Sequence, residues 1–138
     1  RAERRNEVKE IEQREDNIYV ELSQQYSAFL EAVLAHPELD LMGDDAPAPA
    51  LSAAQRKMRG VYFDMLIALF ERAFILLHEE GATGATARRW QSWADYVDWW
   101  LARREFRDHA MANLAGEDAE FAAFMMRRAA RFAPAPPG

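Results

Sequence analysis

The sequence predicts an all-α protein, a four- to five-helix bundle with a long N-terminal helix that partly projects from it. Three observations predict this class. Ala, Leu, Glu and Arg are abundant, whereas Gly and Pro number six each, a balance that favours helix over strand. Apolar residues recur at helical spacing, and no stretch alternates as a strand does. The run from Val61 to Glu80, VYFDMLIALFERAFILLHEE, is apolar round nearly its whole circumference. Such a helix needs neighbours on every side, so it reads as the buried centre of the bundle.

Residues 1–17, RAERRNEVKEIEQREDN, are mostly charged, with Val8 and Ile11 as their sizeable apolar residues. A helix this polar on all sides is a solvated stalk, a weak coiled coil or a frayed end. From Ile18 an apolar stripe begins, through Leu22, Tyr26, Phe29, Leu30, Val33 and Leu34. One helix from Arg4 to Ala35 covers both parts and runs to about 50 Å, longer than a compact domain of this size. The expected division is therefore a charged helical stalk over 1–17, a bundle over 18–132 and a Pro-rich tail over 133–138.

His36-Pro37 ends the first helix, because the residue before a proline leaves the α region. In the following HPELDLMGDDAPAPA, Leu39, Leu41 and Met42 pin the segment back, and the remainder reads as a mobile loop. Ser52 suits the N-cap of a central helix from Ala53 to about Glu80, with Gly81 as its C′ residue. Within it Asp64, Glu71 and His78 recur every seven residues. They form either its single solvent-facing edge or a buried polar line. Thr86 is expected to cap a third helix that holds Trp90, Trp93, Trp99 and Trp100. A break near Arg103–Glu105 leads to a fourth helix, stopped by Gly116. Glu117 and Asp118 start a fifth, with Phe121, Phe124, Met125 and Phe132 on its apolar face.

The chain has no cysteine, so thiolate chemistry and disulfides are excluded. Its net charge of −6 divides into −7 over residues 1–45, 0 over 46–102 and +1 over 103–138. No part carries the basic footprint of a nucleic-acid binder. HEEGA lacks the second histidine of a zinc-protease motif, and there is no GK[ST] phosphate loop. No Ser-His-Asp arrangement and no G-x-S-x-G elbow is present. Glu105, Asp108 and His109 share about one turn, but the Glu-x-x-His motif of di-iron bundles is absent. No catalytic residue, metal or cofactor is assigned. Thr83, Thr86, Arg88 and Arg89 gather at the start of the third helix, where backbone N–H groups attract anions. Tyr96 and Trp99 are the expected exposed aromatic patch for a protein partner.

Several segments follow one another at suggestive spacings: Tyr26-x-x-Phe29-Leu30, HPELDL, Arg59-x-x-Tyr62-Phe63, Glu71-Arg72-Ala73-Phe74, Trp90-x-x-Trp93-x-x-Tyr96 and Glu105-Phe106-Arg107. Over roughly Ile18 to Met111 the chain resembles the small helical domains of uncharacterised bacterial membrane-anchored proteins. That resemblance implies a transmembrane helix ahead of Arg1, then a charged stalk leading into a bundle at the cytoplasmic face. RAERR suits the cytoplasmic flank of such a helix. The resemblance implies no catalytic residues. The expected function is a non-enzymatic interaction or sensory module that binds a protein partner or a second copy of itself. The alternative is a sensor for a small anionic ligand such as a nucleotide near residues 83–89.

Overall fold

The computed structural model describes residues 2–43 and 50–132. The expected loop from Asp44 to Pro49 and the Pro-rich tail lie outside the described residues. In order, the elements are α1 (Ala2–Leu34), a 3-10 turn (Pro37–Leu39), α2 (Ala53–Leu77), α3 (Gly84–Leu101), α4 (Arg104–Ala112) and α5 (Ala119–Ala129). The described residues contain no strand, and the all-α bundle with a long first helix is the observed fold.

α2 is the hub, since every other helix packs on it. Phe70 at its middle is fully buried. Its ring meets Tyr26 of α1 at 6.4 Å, Trp93 of α3 at 6.3 Å and Phe106 of α4 at 6.3 Å. One turn later Phe74 meets Phe121 and Phe124 of α5 at 5.8 and 5.3 Å. Trp93, Trp100, Leu39, Leu66, Ile67, Val97, Leu101 and Met125 are fully buried as well. Each such side chain contributes about 1.5–3 kcal/mol through burial.

The start of α2 follows its sequence. The Ser52 hydroxyl accepts from the Gln55 N–H at 3.1 Å, and the Gln55 side chain accepts from the Ser52 N–H at 2.9 Å, a reciprocal capping box. Its end comes at Leu77, earlier than Glu80. His78 turns extended (ψ 130) and lays its ring on Phe74 at 4.5 Å, while its N–H still donates to the Phe74 carbonyl. Gly81 (φ 71) therefore lies in the turn beyond the helix rather than at C′. α3 likewise begins three residues early, so Thr83 is its N-cap and Thr86 sits in the first turn. The break before α4 is where it was expected, at Ala102 and Arg103. Asp118 caps α5 by accepting from the Phe121 N–H at 3.0 Å.

α1 divides by burial. Residues 3–14 are all exposed, whereas Leu22, Tyr26, Phe29 and Val33 are buried. Leu34, expected in the same stripe, is 72% exposed; next to the buried Val33 at the last position of α1, it lies about 100° round the helix from it. After α1 the chain is pinned as expected, with Leu39 and Leu41 buried. Asp40 adopts φ 48, a left-handed conformation, and its carbonyl accepts from Arg59 at 2.9 Å. Arg59 is the buried charged residue of the core at 6% exposure. It also pairs with Glu105 at 3.2 Å and lies over the Phe63 ring.

Candidate interaction surface

The central helix is not covered on all sides. Met58, Val61 and Met65 are 41, 51 and 50% exposed, and Ile75 and Leu76 are 56 and 51% exposed. The physical reason is a shortage of neighbours. α1 packs on one flank of α2 while α3, α4 and α5 share the others, and a strip of the circumference is left over. Met58, Val61, Met65, Ala68, Arg72 and Ile75 follow one another at alternating steps of three and four residues, so they form one straight row.

The row lies beside α1, which faces it with Gln25, Ala28, Phe29 and Ala32. A depression of about 520 Å³ is lined by Ala32, Ala54, Lys57, Met58, Val61, Tyr62 and Met65. A second, of about 400 Å³, shares Ala32 and Met65 with it and continues along Ala28, Ala68 and Arg72. A third, of about 370 Å³, shares Ala28 and runs over the far flank of α1 past Tyr19, Val20 and Ser27. The first two depressions make the seam between α1 and α2 a mainly apolar trough, bridged at its Arg72 end where that side chain donates to Gln25 at 2.9 Å. Methionine side chains give it an adaptable floor, and exposed apolar surface on this scale marks contact sites.

The polar stripe of α2 meets neither of its two expectations. The Asp64 carboxylate lies 2.7 Å from His109 Nε2 and accepts from it in the tautomer that protonates that nitrogen, and Glu71 accepts from the Asp118 N–H at 2.8 Å. His78 packs against Phe74 and Trp90. The stripe joins α2 to its neighbours while the Asp64 side chain stays 61% exposed, and α2 exposes a second, mainly apolar edge as well. Beside Glu71 the Glu117 carboxyl is pushed up to about 7, first by its hydrogen bond to Glu71, then by burial and the charges of Glu71 and Asp64.

The residues expected at an anion site are only partly brought together. Arg89 pairs with Glu15 at 3.3 Å and also with Asp16. The Thr86 hydroxyl lies 3.5 Å from the same Glu15 carboxylate. A cavity of about 180 Å³ there is lined by Thr86 and Arg89 but also by Glu15 and Glu79, without Thr83 or Arg88. Thr83 makes no side-chain cap hydrogen bond, and Arg88 is exposed. The cationic charge of Arg89 is thus already matched by two carboxylates from α1.

Tyr96 and Trp99 do not form one open patch. Tyr96 stacks on Tyr26 at 4.6 Å and meets Trp93 edge-on at 5.4 Å. Trp99 is 42% exposed, with its edge on Trp100 and the Arg103 guanidinium 3.1 Å from its ring centre. Glu105, Asp108 and His109 part to Arg59, Arg104 and Asp64 respectively. Among the described residues no group of three His, Asp or Glu side chains is placed to hold a metal ion.

Comparison of the chain with protein-family models, curated proteins and solved structures gives no match. The reading of its function therefore rests on the geometry of the bundle itself.

Proposed function

We propose that this chain is a non-enzymatic helical interaction module, and that the α1–α2 seam is where it receives a partner helix. The observation that carries this is the exposed row Met58, Val61, Met65 and Ile75 beside the small residues Ala28 and Ala32. Spacing of three and four residues is what a helix offers to another helix. An amphipathic helix set in an apolar groove is a recurring mode of recognition. The partner helix comes from a second copy of this chain or from another protein.

The test is light scattering on the whole chain and on a Val61→Glu, Met65→Glu double variant. Self-association predicts a mass above the monomer for the first and a monomer for the second. A monomer for both sends the search to a second protein. That protein is sought by co-purification with the natural chain, with the double variant as control. If the variant retains every partner, the seam is not the interface.

The same reading keeps the module at the cytoplasmic face of a bacterial membrane, with residues 3–14 as the spacer. No helix among the described residues is long and apolar enough to cross a membrane, so any anchor belongs to another segment. Fractionation of the complete gene product with an alkaline wash tests this part. Full solubility would remove it and leave the seam untouched.

A further inference from the structure

We infer that the helix received by the seam is α2 of a second copy of this chain, lying antiparallel across the exposed row with a two-fold axis at Ala68. The inference rests on the reading of the seam as a helix-binding surface, and adds to it the partner, the direction and the register.

The pattern of residues about Ala68 carries it. Asp64 and Arg72 stand four residues either side of Ala68, Val61 and Ile75 seven, and Lys57 and Glu79 eleven. All six are exposed. Five of them lie within α2, and Glu79 lies two residues past its end at Leu77. Val61 and Ile75 are both apolar, while each charged pair joins opposite signs. A two-fold axis at Ala68 lays each position against its mate in the second copy, because an interface of this symmetry pairs one patch with itself. Val61 then meets Ile75, Asp64 meets Arg72 and Lys57 nears Glu79, each twice. A parallel pair in register would set Arg72 on Arg72 and Asp64 on Asp64, and like charges so placed repel. Charge thus selects the antiparallel arrangement.

The central charges have capacity left for a second partner. One Asp64 oxygen lies 2.7 Å from His109 Nε2, yet the side chain is 61% exposed. Arg72 gives one N–H to Gln25 at 2.9 Å, and a guanidinium carries five. Across the two-fold each group is within reach of the other without losing the contact it makes inside its own chain.

Affinity and register have different sources. Exposed ion pairs add little to affinity, so the burial of Met58, Val61, Met65 and Ile75, now 41–56% exposed, supplies it. The ion pairs fix direction and register. Ala68 at the axis has no side chain beyond Cβ, and neither do Ala28 and Ala32 on the α1 wall of the trough, so two α2 helices come close where they cross.

The test is light scattering on the natural chain, on Asp64→Arg, on Arg72→Asp and on an equimolar mixture of those two variants. The expected result is a dimer for the natural chain and a dimer weakened about tenfold or more for each variant alone, where like charges now meet twice. The mixture should recover, because each substituted position there faces its opposite charge, and recovery also shows that both variants fold. A second measurement leaves the charges alone. The chain has no cysteine, so Ala68→Cys should yield a covalent dimer on mild oxidation, and Glu120→Cys, exposed at the start of α5, should not. A natural chain that is monomeric at every soluble concentration overturns the inference and leaves the seam to a helix of another protein. A dimer that both charge variants keep, but that Val61→Glu, Met65→Glu loses, overturns the direction and register while the seam stands. If the mixture stays weak, position 68 decides: linkage there supports the axis, and its absence overturns it.

Discussion

The indole N–H of Trp100 donates to the Tyr26 hydroxyl at 2.9 Å inside the core, so one buried hydrogen bond joins the first helix to the third. Tyr26 is itself held between Phe70, Trp93 and Tyr96. Replacing it by Phe keeps the ring and orphans the indole N–H. A buried donor without a partner costs about 1–3 kcal/mol. Urea denaturation of Tyr26→Phe should show a lower midpoint with an unchanged slope, and an unchanged midpoint would remove the bond from the account of stability. Burial holds the Tyr26 phenol above the ordinary tyrosine value. Its stabilising contribution is therefore lost only as pH rises through that raised value, and ionisation should coincide with loss of near-ultraviolet circular dichroism.

α2 supplies an internal contrast. Phe70→Ala removes a fully buried ring at the crossing of four helices and should cost about 3–5 kcal/mol. Met65→Ala, five residues away and 50% exposed, should change stability by no more than about 0.5 kcal/mol. Thermal unfolding of the two variants decides whether the exposed row is a surface or a part of the core.

Arg59 fixes the turn after α1. Its guanidinium is buried, donates to the Asp40 carbonyl and pairs with Glu105. Arg59→Met keeps much of the packing but loses both contacts, leaving a carbonyl unsatisfied. A loss of about 1–3 kcal/mol is expected, the cost of leaving a partly buried polar group without its partner; the exposed Glu105 is re-solvated and adds little. Amide exchange should quicken at Leu39 and Asp40 before it does in α3. Uniform acceleration across the bundle would count against this placement.

Arg89 clamps α1 to α3 through Glu15 and Asp16. The pair is partly exposed, so Arg89→Ala should cost less than about 1 kcal/mol overall. Its effect belongs to the base of the projecting stretch. Limited proteolysis should cut the variant between residues 9 and 18 faster than the natural chain, while the fragment from Leu22 onward persists. Equal rates of cleavage would assign the clamp no role in holding α1.

Much of the architecture was legible because it follows from local chemistry. Ser52, His36-Pro37, Asp118 and the apolar spacing state where helices begin and end, whereas Gly116, expected to stop α4, lies in the turn beyond it, since α4 ends at Ala112. The ends of α2 and α3 shifted because tertiary contacts decided them: His78 stacks on Phe74, and the Thr86 hydroxyl faces Glu15 of α1 instead of capping α3. The apolar circumference of Val61–Leu77 was read as complete burial, yet a strip of it faces outward. The three-four spacing from Met58 to Ile75 held the signal, but all-round hydrophobicity masked it. The meetings of Glu71 with the Asp118 N–H and of Arg89 with Glu15 join residues 47 and 74 positions apart, and no periodicity announces such pairs.

α1 runs without interruption from Ala2 to Leu34, and at about 1.5 Å per residue it is a rod of roughly 50 Å. Its free third and its packed two-thirds are one mechanical piece, clamped near the middle at Glu15 and Asp16. A twist applied at the tip does not dissipate in a loop. It arrives as torque at the Tyr26–Trp100 bond and turns Ala28 and Ala32, one wall of the trough. The helix is thereby a driveshaft, and whatever grips its outer end has leverage over one wall of the α1–α2 trough.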